Sequence, residues 1–160
     1  MSRRSQRLVM AGLLLAGFVL QAAFASDVRM GAAQPEPALC VLVLECLYVG
    51  PRTGAWLGFG LGLLEAAYAA RVVGSFIVTR TLAGFAVGAL EDRVFRDSLP
   101  FSVIAVAVTT LLVEAAFFVF VPPRDALAWL GRVGGATAYN SALALPLYFI
   151  VRRCVRRAAT

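Results

Sequence analysis

The chain has 160 residues, of which 61% are hydrophobic and 15% are charged. A soluble domain of this size keeps a large share of its surface in water, so it could not bury that much apolar area. The composition therefore excludes an ordinary soluble domain and favours a protein whose solvent is lipid. The net charge is +6, but the arginines stand at the ends of apolar runs, which favours membrane topology signals over a nucleic-acid site.

Metal and catalytic chemistry has little support in the sequence. No histidine is present, which removes the commonest metal ligand and the commonest general base. Cys40, Cys46 and Cys154 have no CxxC spacing, so they predict neither a metal centre nor a disulfide framework. No phosphate-binding glycine loop, HExxH motif or paired-carboxylate motif occurs. We expect no cofactor and no enzymatic activity, with a membrane enzyme assembled from scattered residues as the alternative.

Six apolar runs follow one another, each separated from the next by a short polar, glycine-rich or proline-rich stretch. A membrane-spanning helix needs roughly 20 residues, so six spans fill the chain as one transmembrane domain over residues 1–160. The pattern predicts an all-α polytopic membrane protein with about six transmembrane helices. The predicted spans cover residues 8–25, 38–49, 55–70, 72–90, 99–121 and 133–151.

Three parts of this pattern need separate interpretation. The first run follows several arginines and contains Ala23-Phe24-Ala25, which matches a secretory cleavage pattern. Because the run is long enough to span, we expect an uncleaved first helix. The second run is short for a span, so we expect it to extend back toward Pro35 or to lie in a thinned or protein-lined position. Residues 124–132 predict a separate short amphipathic segment with Trp129 at the interface.

The arginines indicate an orientation. Ten of the fifteen fall on one side of a six-span arrangement, four fall on the other, and Arg80 lies inside a span. The side with ten arginines includes both chain ends. Because positive residues concentrate on the cytoplasmic side of a membrane, we expect both termini in the cytoplasm.

Two predicted spans carry small-residue faces. Gly54, Gly58 and Gly62 recur every four residues in the third span, and Gly84 and Gly88 repeat the spacing in the fourth. Such faces allow helix backbones to approach closely in lipid. They predict packing within this chain or, as the less favoured alternative, a docking face for a helix of a partner protein.

Four ionisable residues lie inside apolar runs: Glu45, Glu65, Arg80 and Glu114. Each is costly against lipid, so we expect each to face the bundle interior, a cavity or a partner. Counted at 1.5 Å per residue, Arg80, Glu65 and Glu114 lie at similar depths. We therefore predict an intramembrane ion pair of Arg80 with Glu65 or Glu114, interpreted as structural, with a substrate or proton pathway as the alternative.

The middle of the chain resembles the family of the bacterial rod shape-determining protein MreD. The resemblance is strongest from Gly54 to Ser98 and extends to the arginine-rich end of the chain. At Glu65 the family more often carries aspartate. The matching positions are Gly58-Phe59, Gly62-Leu63-Leu64-Glu65, Gly74, Gly84, Gly88 and Phe95-Arg96-Asp97-Ser98, followed by Tyr139-Asn140 and Pro146-Leu147-Tyr148.

This resemblance implies a fold similar to the substrate-binding components of energy-coupling vitamin transporters, in the bacterial cytoplasmic (inner) membrane. It implies a non-enzymatic scaffold of the cell-wall elongation machinery that maintains rod shape. Its implied partners are an MreC-like single-span protein and, indirectly, RodA, a penicillin-binding transpeptidase and MreB. The alternative is a small-molecule, vitamin-type substrate-binding component of a transporter. Such a component needs a polar pocket closed by long outer loops, and the short joint at Arg71 favours the scaffold.

Overall fold

The computed structural model describes residues 3–24, 33–70, 73–90 and 98–159, which form six α-helices without a strand. The predicted all-helical class is confirmed for this part of the chain. Arg29, Arg71 and residues 91–97, which include most of the turn ending at Ser98, lie outside the described residues. The helices are α1 (Arg3–Phe24), α2 (Pro37–Cys46), α3 (Pro51–Ala69), α4 (Val73–Gly88), α5 (Leu99–Phe120) and α6 (Ala126–Ala159).

The shortest helix, α2, lies at the centre of the bundle. All ten of its residues are buried, and it packs against each of the other five helices. At 1.5 Å per residue it is about 15 Å long. The short second apolar run therefore lies against protein, one of the two positions expected for it.

Side chains from two other helices fix the beginning of α2. The first N–H groups of any helix have no partner within the helix. Here the Glu36 N–H donates to Asn140 Oδ1 of α6 at 2.9 Å, and the Ala38 N–H donates to Gln21 Oε1 of α1 at 3.3 Å. Pro37 between them has no N–H to satisfy. Both polar side chains therefore set where the central helix starts.

Helices α3 and α4 form a close antiparallel pair whose contact is made by glycines. A Cβ at Gly58 would overlap the Arg80 carbonyl, and a Cβ at Gly62 would lie 2.7 Å from the Ile77 Cα. Because the backbones leave no room for side chains, the glycine faces are used in packing within the chain. The facing positions are Gly88 with Gly50 and Pro51, Gly54 with Gly84, Gly58 with Arg80, and Gly62 with Phe76 and Ile77.

Helix α6 departs most from the sequence prediction. The sequence predicts a separate segment over residues 124–132 and a span from residue 133, but one helix runs from Ala126 to Ala159. The Asp125 carboxylate accepts the N–H groups of Leu127 and Ala128 at 2.9 and 3.2 Å. This is N-capping, and it starts the helix roughly two turns before the apolar run.

The distribution of charged and apolar side chains between interior and surface differs from that of a soluble protein. Among the ionisable residues of the predicted spans, Glu45, Glu65, Arg80 and Glu114 are all buried. Large apolar side chains face outward instead, and soluble monomers rarely expose so much contiguous apolar surface. Exposed examples on α4 and α5 are Val78, Leu82, Phe85, Ile104, Val108, Leu111 and Leu112.

Two helices are long and apolar enough to cross a membrane, judged by length and composition. They are Gln6–Ala23 within α1 and Leu99–Phe120, which is α5. Helices α2 and α4 are apolar but shorter.

Gly58→Ala should destabilise the protein far more than Gly60→Ala does. The added methyl group at Gly58 collides with the Arg80 backbone, whereas nothing lies within 4 Å of the corresponding position at Gly60. Alanine favours a helix over glycine by about 1 kcal/mol, so Gly60→Ala should unfold at the same temperature as the parent or higher. Thermal unfolding of both variants in detergent measures the difference, and equal unfolding temperatures would contradict the packing.

Candidate functional site

A cavity of about 530 Å³ lies at one end of the bundle. It lies where α1, α3 and α5 end and α2, α4 and α6 begin. Its volume is in the range of small-molecule sites, roughly 300–1,000 Å³. Five acidic or basic side chains line it, namely Glu36, Glu65, Arg80, Glu114 and Arg132.

Arg80 of α4 is the most buried of these groups, with 2% of its surface exposed. Its Nε donates to Glu65 Oε2 at 2.6 Å, and its Nη2 donates to Glu65 Oε1 at 3.3 Å. The same Nη2 donates to Glu36 Oε2 at 2.9 Å. Arg80 therefore pairs with Glu65, one of the two predicted partners, and also with Glu36, which the sequence analysis did not single out.

The position of this pair follows from the glycine contact. The Arg80 backbone lies against Gly58. Glu65 comes seven residues after Gly58, about two helical turns further along the same face of α3. Because α4 lies so close to α3, the long Arg80 side chain reaches along the contact to the Glu65 carboxylate. Close packing and ion pairing are thus two parts of one contact.

Glu114 of α5 pairs with a different arginine from the one predicted. Arg132 of α6 donates to both of its oxygens, at 3.3 and 2.8 Å. The sequence analysis predicted Glu114 as a possible partner of Arg80 because the two lie at similar depths. It did not consider Arg132 as a partner, because Arg132 lies outside the predicted spans. Because α6 starts at Ala126, Arg132 lies on the helix beside Glu114. The Arg132 side chain is 42% exposed, so this pair forms part of the cavity rim.

Hydrogen bonds extend the Arg80 cluster to every helix of the bundle. Gln21 Nε2 donates to Glu65 Oε1 at 3.0 Å. Asn140 Oδ1 accepts a hydrogen bond from the Glu36 N–H, and Asn140 Nδ2 donates to Thr110 Oγ1 at 3.2 Å. The connected side chains are Gln21 of α1, Glu36 before α2, Glu65 of α3, Arg80 of α4, Thr110 of α5 and Asn140 of α6.

Glu36 combines a strong ion pair with an open carboxylate oxygen. Oε2 accepts from Arg80, while Oε1 accepts no hydrogen bond from the described residues. The side chain is 23% exposed. Burial raises the pKa of the Glu36 carboxyl above its ordinary value, and the Arg80 guanidinium opposes that rise. This open oxygen is therefore an acceptor at the cavity wall.

Glu45 lies apart from the cavity. It is buried in the central helix, and neither of its carboxylate oxygens has a hydrogen-bond partner among the described residues. Within the same residues, no group of three or more histidine, cysteine or acidic side chains could hold a metal ion. The chemistry that the cavity offers is recognition of charge, together with contact to apolar and aromatic surface.

No family model, no curated protein and no solved structure matches this chain. The resemblance to MreD therefore rests on the sequence positions given above.

Arg80→Leu should strongly destabilise the protein, because it leaves Glu65 and Glu36 near each other without a cation. Removing one partner of a buried ion pair typically costs about 3–5 kcal/mol. Arg80→Leu/Glu65→Leu should recover part of this loss. Arg80→Leu/Glu114→Leu should lose more stability, because it also breaks the pair with Arg132. Unfolding of the variants in detergent tests this assignment, and recovery with the Glu114 change would overturn it.

Proposed function

We propose that this chain is a polytopic protein of the bacterial cytoplasmic membrane, with its six helices embedded in lipid. The surface supports this proposal, because many large apolar side chains face outward, while Glu65, Arg80 and Glu114 form ion pairs inside the bundle or at the cavity rim. The short helix α2 is compatible with a membrane because five other helices surround it. Irregular or short segments at membrane depth are tolerated where protein encloses them.

The arginines of the described residues support an orientation. Arg124 and Arg132 lie at the cavity end of the bundle. The opposite end carries the start of α1, the start of α3 and the end of α6. By the positive-inside rule, the cavity end faces outward and both termini are cytoplasmic. The arginines at the opposite end include Arg7, Arg52, Arg152, Arg153, Arg156 and Arg157.

Reporter fusions test this orientation. Green fluorescent protein fused after Thr160 should fluoresce, because it folds in the cytoplasm. Alkaline phosphatase inserted between Pro123 and Arg124 should be active, because that site lies at the outer end of α5. The reciprocal fusions serve as controls and should be inactive. An active phosphatase after Thr160 would reverse the orientation.

Within that membrane setting, we propose the role of an MreD-type scaffold in cell-wall elongation. Supporting this proposal, several of the positions that carry the resemblance lie together in the α3–α4 pair. Gly58, Gly62 and Glu65 lie on the face of α3 that receives α4, and Gly84 lies on the opposing face. The role is non-enzymatic and consists of binding an MreC-like single-span protein, with RodA, a transpeptidase and MreB as indirect partners. Because the glycine faces are filled by this contact, the partner binds elsewhere on the bundle.

Co-purification in mild detergent tests the scaffold. Tagged protein should retain a single-span component of the elongation machinery, identified by mass spectrometry. The Gly60→Leu variant should retain it too, because the substituted side chain meets no neighbouring atom at Cβ. Gly58→Leu should lose the partner together with its own fold, which size-exclusion chromatography reveals. A folded, monodisperse parent protein that retains no elongation component would contradict the scaffold.

A second candidate function is favoured by the cavity, whose volume and charged lining suit a small molecule. This function is the vitamin-type substrate-binding component of a transporter. Saturable, stoichiometric binding of a vitamin by protein that retains no elongation partner would favour this function over the scaffold.

A further inference from the structure

The geometry points to the cavity as a binding site for an organic cation. We propose that it recognises a primary ammonium or guanidinium group attached to an apolar body. This proposal goes beyond the scaffold role, because it assigns a ligand to the cavity independently of which partner protein the chain binds.

The two guanidinium groups of the cavity already face carboxylates. Arg80 uses Nε and Nη2 on Glu65 and Glu36, while its Nη1 is buried and has no hydrogen-bond partner among the described residues. Arg132 makes a two-point contact with Glu114. Gln21 donates from its NH₂ group to Glu65, and its side-chain oxygen accepts from the N–H of Ala38. A ligand anion would therefore have to compete with carboxylates that already pair with both guanidinium groups.

Acceptors, in contrast, are in excess. Among the described residues, three carboxyl groups and two guanidinium groups line the cavity, so the carboxyl groups outnumber the guanidinium groups by one. Oε1 of Glu36 is the acceptor that no described residue occupies. An uncompensated charge in a partly dry cavity is costly. A bound cation would remove that cost, and an ammonium or guanidinium group also supplies several N–H donors.

The apolar walls suit the same ligand. Phe18 and Tyr68 form one edge-to-face pair along the cavity, and Phe76 and Phe117 form a second. The faces of aromatic rings attract cations within about 6 Å. Carboxylates and aromatic rings together are the two protein surfaces that favour an organic cation over a neutral or anionic molecule of the same shape.

Two sources could supply this chemistry. The cation could be a free small molecule, or it could be an arginine or lysine side chain that a partner protein inserts. Access from outside the protein is open to both, because the rim residues Arg132 and Tyr68 are 42% exposed at the side chain and 68% exposed, respectively.

The test is a charge series on the purified full chain in detergent. Isothermal titration would compare 2-phenylethylammonium with 2-phenylethanol and 3-phenylpropanoate, which have similar size but neutral and negative charge. We expect saturable binding of the ammonium compound, at least tenfold tighter than that of either analogue. Equal or tighter binding of the alcohol or the carboxylate would overturn the proposal, without needing any variant.

Matched variants locate the site. Glu36→Gln removes the uncompensated charge with little change of shape, so it should weaken binding of 2-phenylethylammonium at least tenfold. Glu45→Gln makes the same chemical change at a buried carboxylate outside the cavity and should leave the affinity unchanged. Equal affinities in both variants and the parent would place the binding elsewhere and overturn the assignment.

An acetylated and amidated Ala-Arg-Ala peptide distinguishes the two sources. Binding of the peptide tenfold tighter than that of 2-phenylethylammonium indicates an inserted side chain. The reverse order indicates a free small molecule, and either result supports recognition of a cation. Failure of both probes to bind would refute the proposal, while the co-purification experiment would still report on the scaffold.

Discussion

The ion pair of Arg80 is the interaction on which the rest of this bundle depends. A guanidinium group with 2% exposure is costly unless its charge is met. The carboxylates of Glu65 and Glu36 meet it and accept hydrogen bonds from Nε and Nη2. Each of those carboxylates is itself held by groups from other helices. Gln21 bonds Glu65, and Asn140 bonds the backbone of Glu36. The cluster therefore fixes how six helices meet at one end of the molecule.

The same cluster explains how a very short helix can occupy the centre. Helix α2 has ten residues, all buried, and in the proposed membrane setting its first N–H groups would lie at or near membrane depth. In lipid those groups would be unsatisfied, which is costly. Gln21 and Asn140 bond them from α1 and α6. The polar network thus anchors the central helix at one end, and apolar packing against five neighbours surrounds the remainder.

The sequence was sufficient to predict the helices and the close helix pair, which follow from repeating patterns of residues. It was not sufficient to predict contacts that depend on how each helix is rotated about its own axis. Continuous apolar runs predicted six helices, and glycines spaced by four predicted a close helix pair. The estimated depth of each residue in its predicted span made Glu65 a candidate partner of Arg80. It could not distinguish Glu65 from Glu114, because depth does not show which face of a helix a residue occupies. The apolar pattern does not single out Glu36, because this residue lies just outside an apolar run. Its position between Pro35 and Pro37, directly before such a run, was the available signal.

The boundaries of α6 show a second limit, with a functional consequence. A single carboxylate, Asp125, extends the helix backward by capping its first N–H groups, and apolar periodicity does not register a cap. That extension places Arg132 on a helix beside Glu114 instead of in a loop. Once Arg132 is committed to Glu114, Arg80 is the arginine of the described cavity that meets both Glu65 and Glu36. The charge balance among the described cavity residues is thus linked to a helix cap about two turns away, through which arginine meets which carboxylate.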